Sequence, residues 1–151
     1  MSDLVYLDDL TTGMTFTSVE VTVSAEQIKI FAAQFDPQPF HLDEAAGEAS
    51  FFKGLAASGW HTASLGMRLM VTSGPKLAAG WIGAGGELSW KQPVYAGDTL
   101  RLHGEIVELK PSRSRPDRGI AVVRCEMRNQ RGEVVQVFTA QVLVMRRPAG
   151  S

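Results

Sequence analysis

The segment from residue 59 to residue 72 constrains the fold most, because it has a helical pattern that is apolar on nearly every side. Ser58 is a favoured helix N-cap residue, and Gly74-Pro75 would end the helix. A helix that is apolar almost all round has to be buried. The segment therefore predicts a long central helix enclosed by other elements. Its apolar positions are Trp60, Ala63, Leu65, Met67, Leu69, Met70 and Val71, beside a narrow polar stripe of His61, Arg68 and Thr72.

The second half of the chain has the pattern of the enclosing sheet. Alternating or β-branched segments predict strands at 81–90, 99–109, 120–128 and 134–145, and residues 129–132 have the composition of a hairpin turn. Between the second and third strands, residues 110–118 form a basic loop. We expect one α+β domain over residues 1–151, with its core at about 15–146 and a curved antiparallel sheet wrapped around the central helix.

The first part of the chain predicts a strand followed by a helix. Valines alternate with polar residues from Val19 to Val23, which is the period of a half-buried strand. Ser24 and Gln27 have the spacing of a capping box, and a helical apolar face follows it. Pro37 disfavours helical geometry at Asp36, so the helix should end there. Residues 44–46 suggest a further short helix.

The stretch Asp36-Pro37-Gln38-Pro39-Phe40-His41 holds a carboxylate and an imidazole five positions apart. Each proline fixes its own φ and biases the preceding residue toward extended geometry, so the stretch should be a stiff loop, neither helix nor strand. A stiff loop could hold one water within reach of both side chains for general acid–base catalysis. The alternative is structural: Asp36 would cap a local turn and His41 would pack at the surface.

The composition argues against several other functions. A formal net charge of −1 gives no reason to expect nucleic acid as a partner. The lone Cys125 cannot form an internal disulfide and follows the pattern of a core residue. The three histidines lack metal-ligand spacing, so no metal is expected. The opening residues lack the pattern of a signal peptide, and no apolar stretch is long enough to span a membrane. We therefore expect a soluble, cytoplasmic protein.

These motifs resemble those of the MaoC-like dehydratases, a family that includes the (R)-specific enoyl-CoA hydratases and has the hot-dog fold. The matching residues are Asp36, Pro39, His41, Asp43 and Gly59, together with the turn-like stretch at 92–98. Three positions depart from the family pattern: Gln38 replaces an Asn, Ser58 replaces a His, and Met67 stands where the central helix often has a Ser. The resemblance covers roughly residues 15 to 145.

The resemblance implies a hydro-lyase that reversibly hydrates a trans-2-enoyl-CoA to the (R)-3-hydroxyacyl-CoA. Asp36 and His41 would be catalytic, and the Gly59 amide at a helix N-terminus would stabilise the developing oxyanion. Ser58, Gln38 and His61 are further candidates for the site. No cofactor is expected, since coenzyme A is part of the substrate. Hot-dog domains generally pair, so a homodimer or higher homo-oligomer is expected.

The basic loop has two interpretations. One is a solvated, mobile hairpin loop. The other is that Arg113, Arg115 or Arg118 contacts the phosphates of coenzyme A, with Arg113 and Arg115 as the first candidates.

Two other functions remain open from the sequence. A hot-dog acyl-CoA thioesterase would attack the thioester carbonyl, usually with a carboxylate on the central helix. Residues 59–71 contain no carboxylate, which favours the hydratase. A non-catalytic module that binds acyl groups is the other possibility, and the presence of both Asp36 and His41 argues against it.

Overall fold

The structure is a computed structural model that describes residues 3–149. A short 3-10 helix at Leu7–Asp9 precedes the main elements. The helices are α1 (Ala25–Phe35), α2 (Pro39–Leu42), α3 (Glu44–Glu48) and α4 (Gly59–Ser73). The strands are β1 (Thr15–Thr17), β2 (Val21–Thr22), β3 (Ile82–Trp90), β4 (Thr99–Pro111), β5 (Arg118–Arg128) and β6 (Val134–Met145).

The strands form an antiparallel sheet in the order β1-β4-β5-β6-β3, and β2 pairs with β4 beside β1. The long helix α4 packs against one face of this sheet, contacting β4, β5 and β6. One antiparallel sheet packed on one long helix is the arrangement of the hot-dog fold, so the predicted α+β class is confirmed. Strand β3 is an edge strand, because it pairs with β6 on one side only.

The core lies between α4 and the inner face of the sheet. Alternate residues of each strand point inward, as the period of two requires, and they include Leu102, Ile106 and Met127. Met70 of α4 meets Cys125 of β5, with 3.6 Å between the two sulfur atoms. Burial raises the pKa of the Cys125 thiol to about 12. Cys125 is therefore a core residue, as its alternating pattern predicts.

The expectation that α4 is buried on nearly every side is wrong. Its buried residues are His61, Thr62, Gly66, Leu69 and Met70. In contrast, Trp60 is 59% exposed, Met67 43% and Val71 49%. The sheet covers only one side of the helix, and the edge strand β3 leaves the neighbouring side open. An apolar stripe of the helix, formed by Trp60, Met67 and Val71, therefore faces outward in the single chain.

The smaller elements depart from the sequence prediction in their bounds. The capping box of α1 forms as predicted, with Ser24 and Gln27 each satisfying the backbone of the other. The strand expected at 19–23 is reduced to Val21–Thr22, and Val19 is exposed. The basic loop shortens to residues 112–117, because β4 and β5 pair as far as Pro111 and Gly119.

Among residues 3–149, no helix is both long and apolar enough to cross a membrane. The signal-peptide prediction concerns the opening of the chain, and its first two residues, Met1 and Ser2, lie outside the described part.

Candidate active site

The two prolines shape the segment between α1 and α2. Asp36 is the C-cap of α1 with φ −155° and ψ 67°, outside helical geometry, as expected before Pro37. Pro39 then opens α2 at its first position, where its fixed φ suits a helix and its missing N–H costs nothing. His41 therefore lies on a helical turn, and the prediction that the whole stretch is neither helix nor strand is wrong for its second half.

His41 is held by both ring nitrogens. Its Nδ1 lies 2.6 Å from the carbonyl oxygen of Ala56, and its Nε2 lies 3.2 Å from Oδ2 of Asp36. A carbonyl oxygen only accepts, so Nδ1 carries the hydrogen and donates it. In the neutral ring Nε2 then carries no hydrogen, so a hydrogen bond across the 3.2 Å to Oδ2 of Asp36 needs one added proton between the two atoms. His41 is only 4% exposed, which excludes the alternative in which it packs at the surface.

Asp36 is kept ionised by its neighbours. The Gln38 amide donates a hydrogen bond of 2.6 Å to Oδ1 of Asp36. Partial burial raises the pKa of Asp36, but hydrogen bonding by Gln38 and Ser58, together with the nearby His41 ring, outweighs burial and lowers the pKa overall. An ionised carboxylate beside the basic nitrogen of His41 can accept and relay a proton.

The N-terminus of α4 lies beside this pair. Ser58 is the N-cap, fully buried, and its Oγ accepts a hydrogen bond of 3.3 Å from the Trp60 amide. Among the described residues, the Gly59 amide donates to no acceptor. Unpaired amides and the helix dipole at such an end favour a negative charge. The Gly59 N–H is therefore available to an anionic or polarised oxygen.

Gly59 is required for a reason that the sequence does not reveal. A Cβ built on Gly59 would lie 2.5 Å from Cε2 of the Trp90 indole. From the sequence we expect a glycine here so that a substrate can approach the backbone. In the structure, an indole from the end of β3 packs against the space beside Gly59.

A cleft of about 400 Å³ opens in front of His41. Its wall comes from α2, the loop before α4, the start of α4, and the segments at the end of β3 and the start of β6. The lining residues are Gln38, Phe40, His41, Phe51, Phe52, Ala57, Gly59, Thr62, Trp90, Lys91, Gln92, Pro93, Val94 and Val135. The wall is mostly apolar with a few polar groups, which is typical of a small-molecule site. Asp36 adjoins the cleft through His41 and Gln38.

Several features of the site escape sequence reasoning. The Ala56 carbonyl that orients His41 is a backbone group, so no residue type announces it. Phe52 packs against the rings of both Phe40 and His41, at centroid distances of 5.1 and 6.1 Å. Its carbonyl accepts a hydrogen bond from the Tyr95 hydroxyl at 2.5 Å. The pair Phe51-Phe52 stands out in the sequence as an aromatic pair in a loop, which is the one signal that could have found it.

The structure does not bring His61 to the cleft wall. His61 is 7% exposed and stacks on Phe31 of α1, with ring centroids 4.8 Å apart. Its Nδ1 is the one buried side-chain nitrogen or oxygen without a hydrogen-bond partner in the described chain. Burial lowers the pKa of His61.

Arg113 and Arg115 lie far from the cleft of their own chain. They belong to the loop between β4 and β5, at the end of the sheet where Arg118 pairs with Met145. The cleft lies at the other end, where Trp90 pairs with Gln136. Gln136 and Met145 are nine residue steps apart along β6, which corresponds to about 30 Å. Their contact with coenzyme A phosphates stays a prediction, and one chain alone does not provide it.

Comparison with known proteins places this geometry in a family. A crystal structure of a MaoC-like dehydratase from Rhodospirillum rubrum is 56% identical, with a TM-score of 0.92 over 95% of this chain and 99% of that one. An (R)-hydratase from A. caviae involved in PHA biosynthesis is 28% identical, with a TM-score of 0.74 over 92% and 98% of the two chains. The protein YdeM of Bacillus subtilis is 32% identical over 142 residues, covering 92% of this chain and 96% of its own.

The family model for the MaoC-like domain matches residues 9–126, which include α1 to α4 and every residue of the Asp36–His41 pair and its helix N-terminus. The (R)-hydratase PhaJ1 from Pseudomonas aeruginosa is 26% identical, with a TM-score of 0.77 over 95% of this chain and 88% of that one. It shares this fold, as does the (R)-hydratase from A. caviae. This chain therefore belongs to the family of MaoC-like dehydratase domains.

Proposed function

We propose that this protein reversibly hydrates a trans-2-enoyl-CoA to the (R)-3-hydroxyacyl-CoA. One observation carries the proposal: the contact of 3.2 Å between Asp36 and His41 lies beside a cleft that also contains the free Gly59 amide. Water activation and oxyanion stabilisation are the two things that this reaction needs. The proposal is supported by the likeness to two (R)-hydratases.

In the hydration direction, a water lies against Asp36 and His41. Its oxygen forms a bond to C3 while one of its protons enters the Asp36–His41 pair. The π electrons of the double bond move toward C2 and the thioester oxygen, giving an enolate-like state. A proton then leaves the pair for C2, so the pair ends unchanged and no external acid or base is consumed. Because one water and one pair serve both carbons, hydroxyl and proton add to the same face.

The thioester oxygen carries the developing charge during this step. In the proposed complex it accepts a hydrogen bond from the Gly59 N–H, at the N-terminus of the 15-residue helix α4. A single donor of this kind typically contributes about 3 kcal/mol to the transition state. The reaction uses these groups alone, with coenzyme A entering as part of the substrate.

We place the protein in the cytoplasm, since its single thiol, Cys125, suits a reducing compartment.

A thioesterase is the second candidate, and the arrangement of the site favours the hydratase. Hydrolysis would direct water to the carbonyl carbon, usually from a carboxylate on the central helix. Helix α4 carries no Asp or Glu. A non-catalytic acyl-binding module would not need a buried imidazole whose Nε2 lies 3.2 Å from a carboxylate oxygen.

The direct test adds the protein to crotonyl-CoA and follows two signals. Loss of the enoyl-thioester absorbance reports hydration, and release of free thiol reports hydrolysis. We expect the first without the second, and Asp36→Asn should abolish it while leaving the melting temperature near that of the wild type. Thiol release without loss of the double bond would replace the proposal with the thioesterase. Absence of both signals with 2-enoyl-CoAs of several lengths would leave only a binding module.

We also propose that two copies pair through the surface formed by the outward stripe of α4 and the edge strand β3. Trp60, Met67 and Val71 expose apolar surface there, and β3 presents an unpaired backbone edge. Sedimentation equilibrium should find a dimer that Met67→Glu dissociates. Ile30→Glu, at an exposed apolar position on α1, is the matched control and should leave the dimer intact. A monomeric wild type would refute the pairing.

A further inference from the structure

We infer that Trp90 closes the acyl end of the cleft and restricts the site to short 2-enoyl chains. The inference deepens the proposed function and rests on it, because it concerns where the carbons beyond C3 of the substrate can go. It is carried by the packing around three small residues of α4 and by the way the indole is anchored.

The face of α4 toward the sheet is made of small residues near the cleft. Gly59 and Thr62 line the cleft, and Gly66 follows one turn further along the helix. This row would leave a passage between the helix and the sheet. The passage is filled from the sheet side, by the Trp90 indole against Gly59 and by the Gln136 amide, whose Nε2 is 3.1 Å from a Cβ built on Gly66.

The Trp90 side chain is fixed on two sides. Its Nε1–H donates a hydrogen bond of 3.0 Å to Oε1 of Gln136, which is itself 2% exposed. Its ring packs edge to face on Trp60, with centroids 5.2 Å apart. Trp60 does not line the cleft, so the indole of Trp90 separates the cleft from the surface on which Trp60 lies. Trp90 is 45% exposed in the single chain, so these two contacts, and not burial, hold the indole as a wall of the cleft.

The position of the wall sets the length of chain that fits. In the proposed complex the thioester oxygen meets the Gly59 amide and C3 lies at the Asp36–His41 pair. The two sides of the cleft differ: Phe51 is 88% exposed at its rim, whereas Val94 and Val135 are buried at its base. The polar carrier leaves by the exposed rim, and the acyl chain follows the buried base. Trp90 lies against Gly59, and its strand partner Gln136 follows Val135 of the buried base, so the indole lies beside the path of the acyl chain within a few carbons of C3.

The test measures binding and turnover as a function of chain length. Saturated butyryl-, hexanoyl- and octanoyl-CoA are titrated into the wild type and Trp90→Ala by calorimetry, and the hydration of crotonyl-CoA and 2-octenoyl-CoA is compared. In the wild type we expect octanoyl-CoA to bind no more tightly than butyryl-CoA, and 2-octenoyl-CoA to react more slowly than crotonyl-CoA. Trp90→Ala should shift both preferences toward the eight-carbon chain by at least about tenfold, because one to a few methylenes are worth that much in an apolar pocket.

Two further variants guard the interpretation. Trp90→Leu keeps an apolar side chain at the position and should give a smaller shift in the same direction, even if the alanine variant unfolds. Trp81→Ala removes an indole just before the other end of β3, outside the cleft, and should leave the chain-length preference unchanged. Equal shifts in the Trp81 and Trp90 variants would overturn the inference.

The outcomes separate this inference from the proposed function. If the wild type hydrates 2-octenoyl-CoA as fast as crotonyl-CoA, the function stands and the wall is refuted. If the saturated acyl-CoAs bind with the expected length preference but no 2-enoyl-CoA is hydrated, the wall stands and the function is refuted. If no acyl-CoA binds, both are refuted.

Discussion

The surroundings of His41 and those of His61 offer a direct comparison. Both rings are almost fully buried, at 4% and 7% exposure, and both pack against phenylalanine rings. Both ring nitrogens of His41 have partners, the Ala56 carbonyl and the Asp36 carboxylate. His61 has an orphan Nδ1 and lies away from the cleft. Burial therefore does not distinguish the proposed catalytic histidine from the other one, whereas the identity of the hydrogen-bond and ion-pair partners does.

The helix geometry explains why sequence proximity to Gly59 is misleading for His61. Two residues in succession along an α-helix are separated by about 100° around the axis, so positions 59 and 61 point about 200° apart. Gly59 faces the cleft, and His61 consequently faces α1, where it meets Phe31. Gly59 and His61 are two positions apart in the helix, so they do not lie on the same helix face although they are close in the sequence.

The largest expected effect comes from exchanging each histidine for glutamine. His41→Gln should lower kcat for crotonyl-CoA hydration by about 10³-fold, because it removes a general acid–base group. His61→Gln is the matched control and should leave kcat within about twofold. Steady-state kinetics, with circular dichroism to check folding, make the comparison. Similar losses of kcat in the two variants would show that His41 is no more important for catalysis than His61.

A smaller effect is expected from Gly59→Ala, which asks how tightly the surroundings of His41 are packed. The new Cβ would lie 2.5 Å from the Trp90 ring, so the indole or the helix start has to move. We expect kcat/KM to fall about 10- to 100-fold and stability to fall by about 1–3 kcal/mol. Gly83→Ala is the control, since nothing lies within 4 Å of a Cβ built there. A Gly59→Ala variant as active as the wild type would show that the close packing of Trp90 against Gly59 does not affect activity.

The stability of the protein should depend on pH through His61. Because burial lowers the pKa of His61 in the folded state, the unfolded chain binds more protons near and below its ordinary pKa. Stability should therefore be full above that pKa and fall as the pH drops from 7 toward 5. His61→Phe keeps an aromatic ring on Phe31 and should flatten the fall in melting temperature.

Partly buried His103 contributes to the same pH dependence, since burial first and then Arg128 and Arg101 lower its pKa against the opposite effect of Glu126. His103→Gln should therefore flatten the curve less than His61→Phe does. A slope that is unchanged in His61→Phe would show that His61 does not titrate in this range.

The smallest expected effect concerns the basic loop at the other end of the sheet. Arg113→Glu combined with Arg115→Glu should raise KM for a CoA thioester about two- to fivefold, since exposed charges are screened in water. A short pantetheine thioester without the nucleotide should show no change. Within one chain the loop is about 30 Å from the cleft along β6, so an effect on the CoA substrate alone would place the loop of a second copy near the site. Equal effects on both substrates would refute a phosphate contact.

Much of this architecture follows from local sequence rules. The capping box starts α1 at the predicted position, Pro37 ends it at Asp36, and the bounds of β6 match the predicted 134–145. The contact between Asp36 and His41 and the helix N-terminus beside it are also expected from the motif. These features depend on neighbours within a few residues, which is why the sequence can specify them.

The features that escaped prediction depend on distant parts of the chain. Trp60 and Met67 are exposed because the sheet does not extend over them. In the sequence, an apolar helix residue at a protein interface cannot be told from one in a core. The turn of helix at Pro39 was missed because proline suits both an extended loop and the first position of a helix. The contact between Trp90 and Gly59 joins residues 31 positions apart through the sheet, and neither residue type announces it.

The hydrogen bond from His41 to Ala56 has a consequence for how this site can vary through evolution. Its acceptor is a peptide oxygen, so every amino acid at position 56 offers the same group, and only a change in the path of the main chain removes it. The chain path is itself held there by the bridge between Ala56 and Tyr95 and by the bond from the Ala56 amide to the Phe40 carbonyl. The protonation pattern of the imidazole is thus insulated from point substitutions at position 56, while the side chains that shape the cleft remain free to diverge.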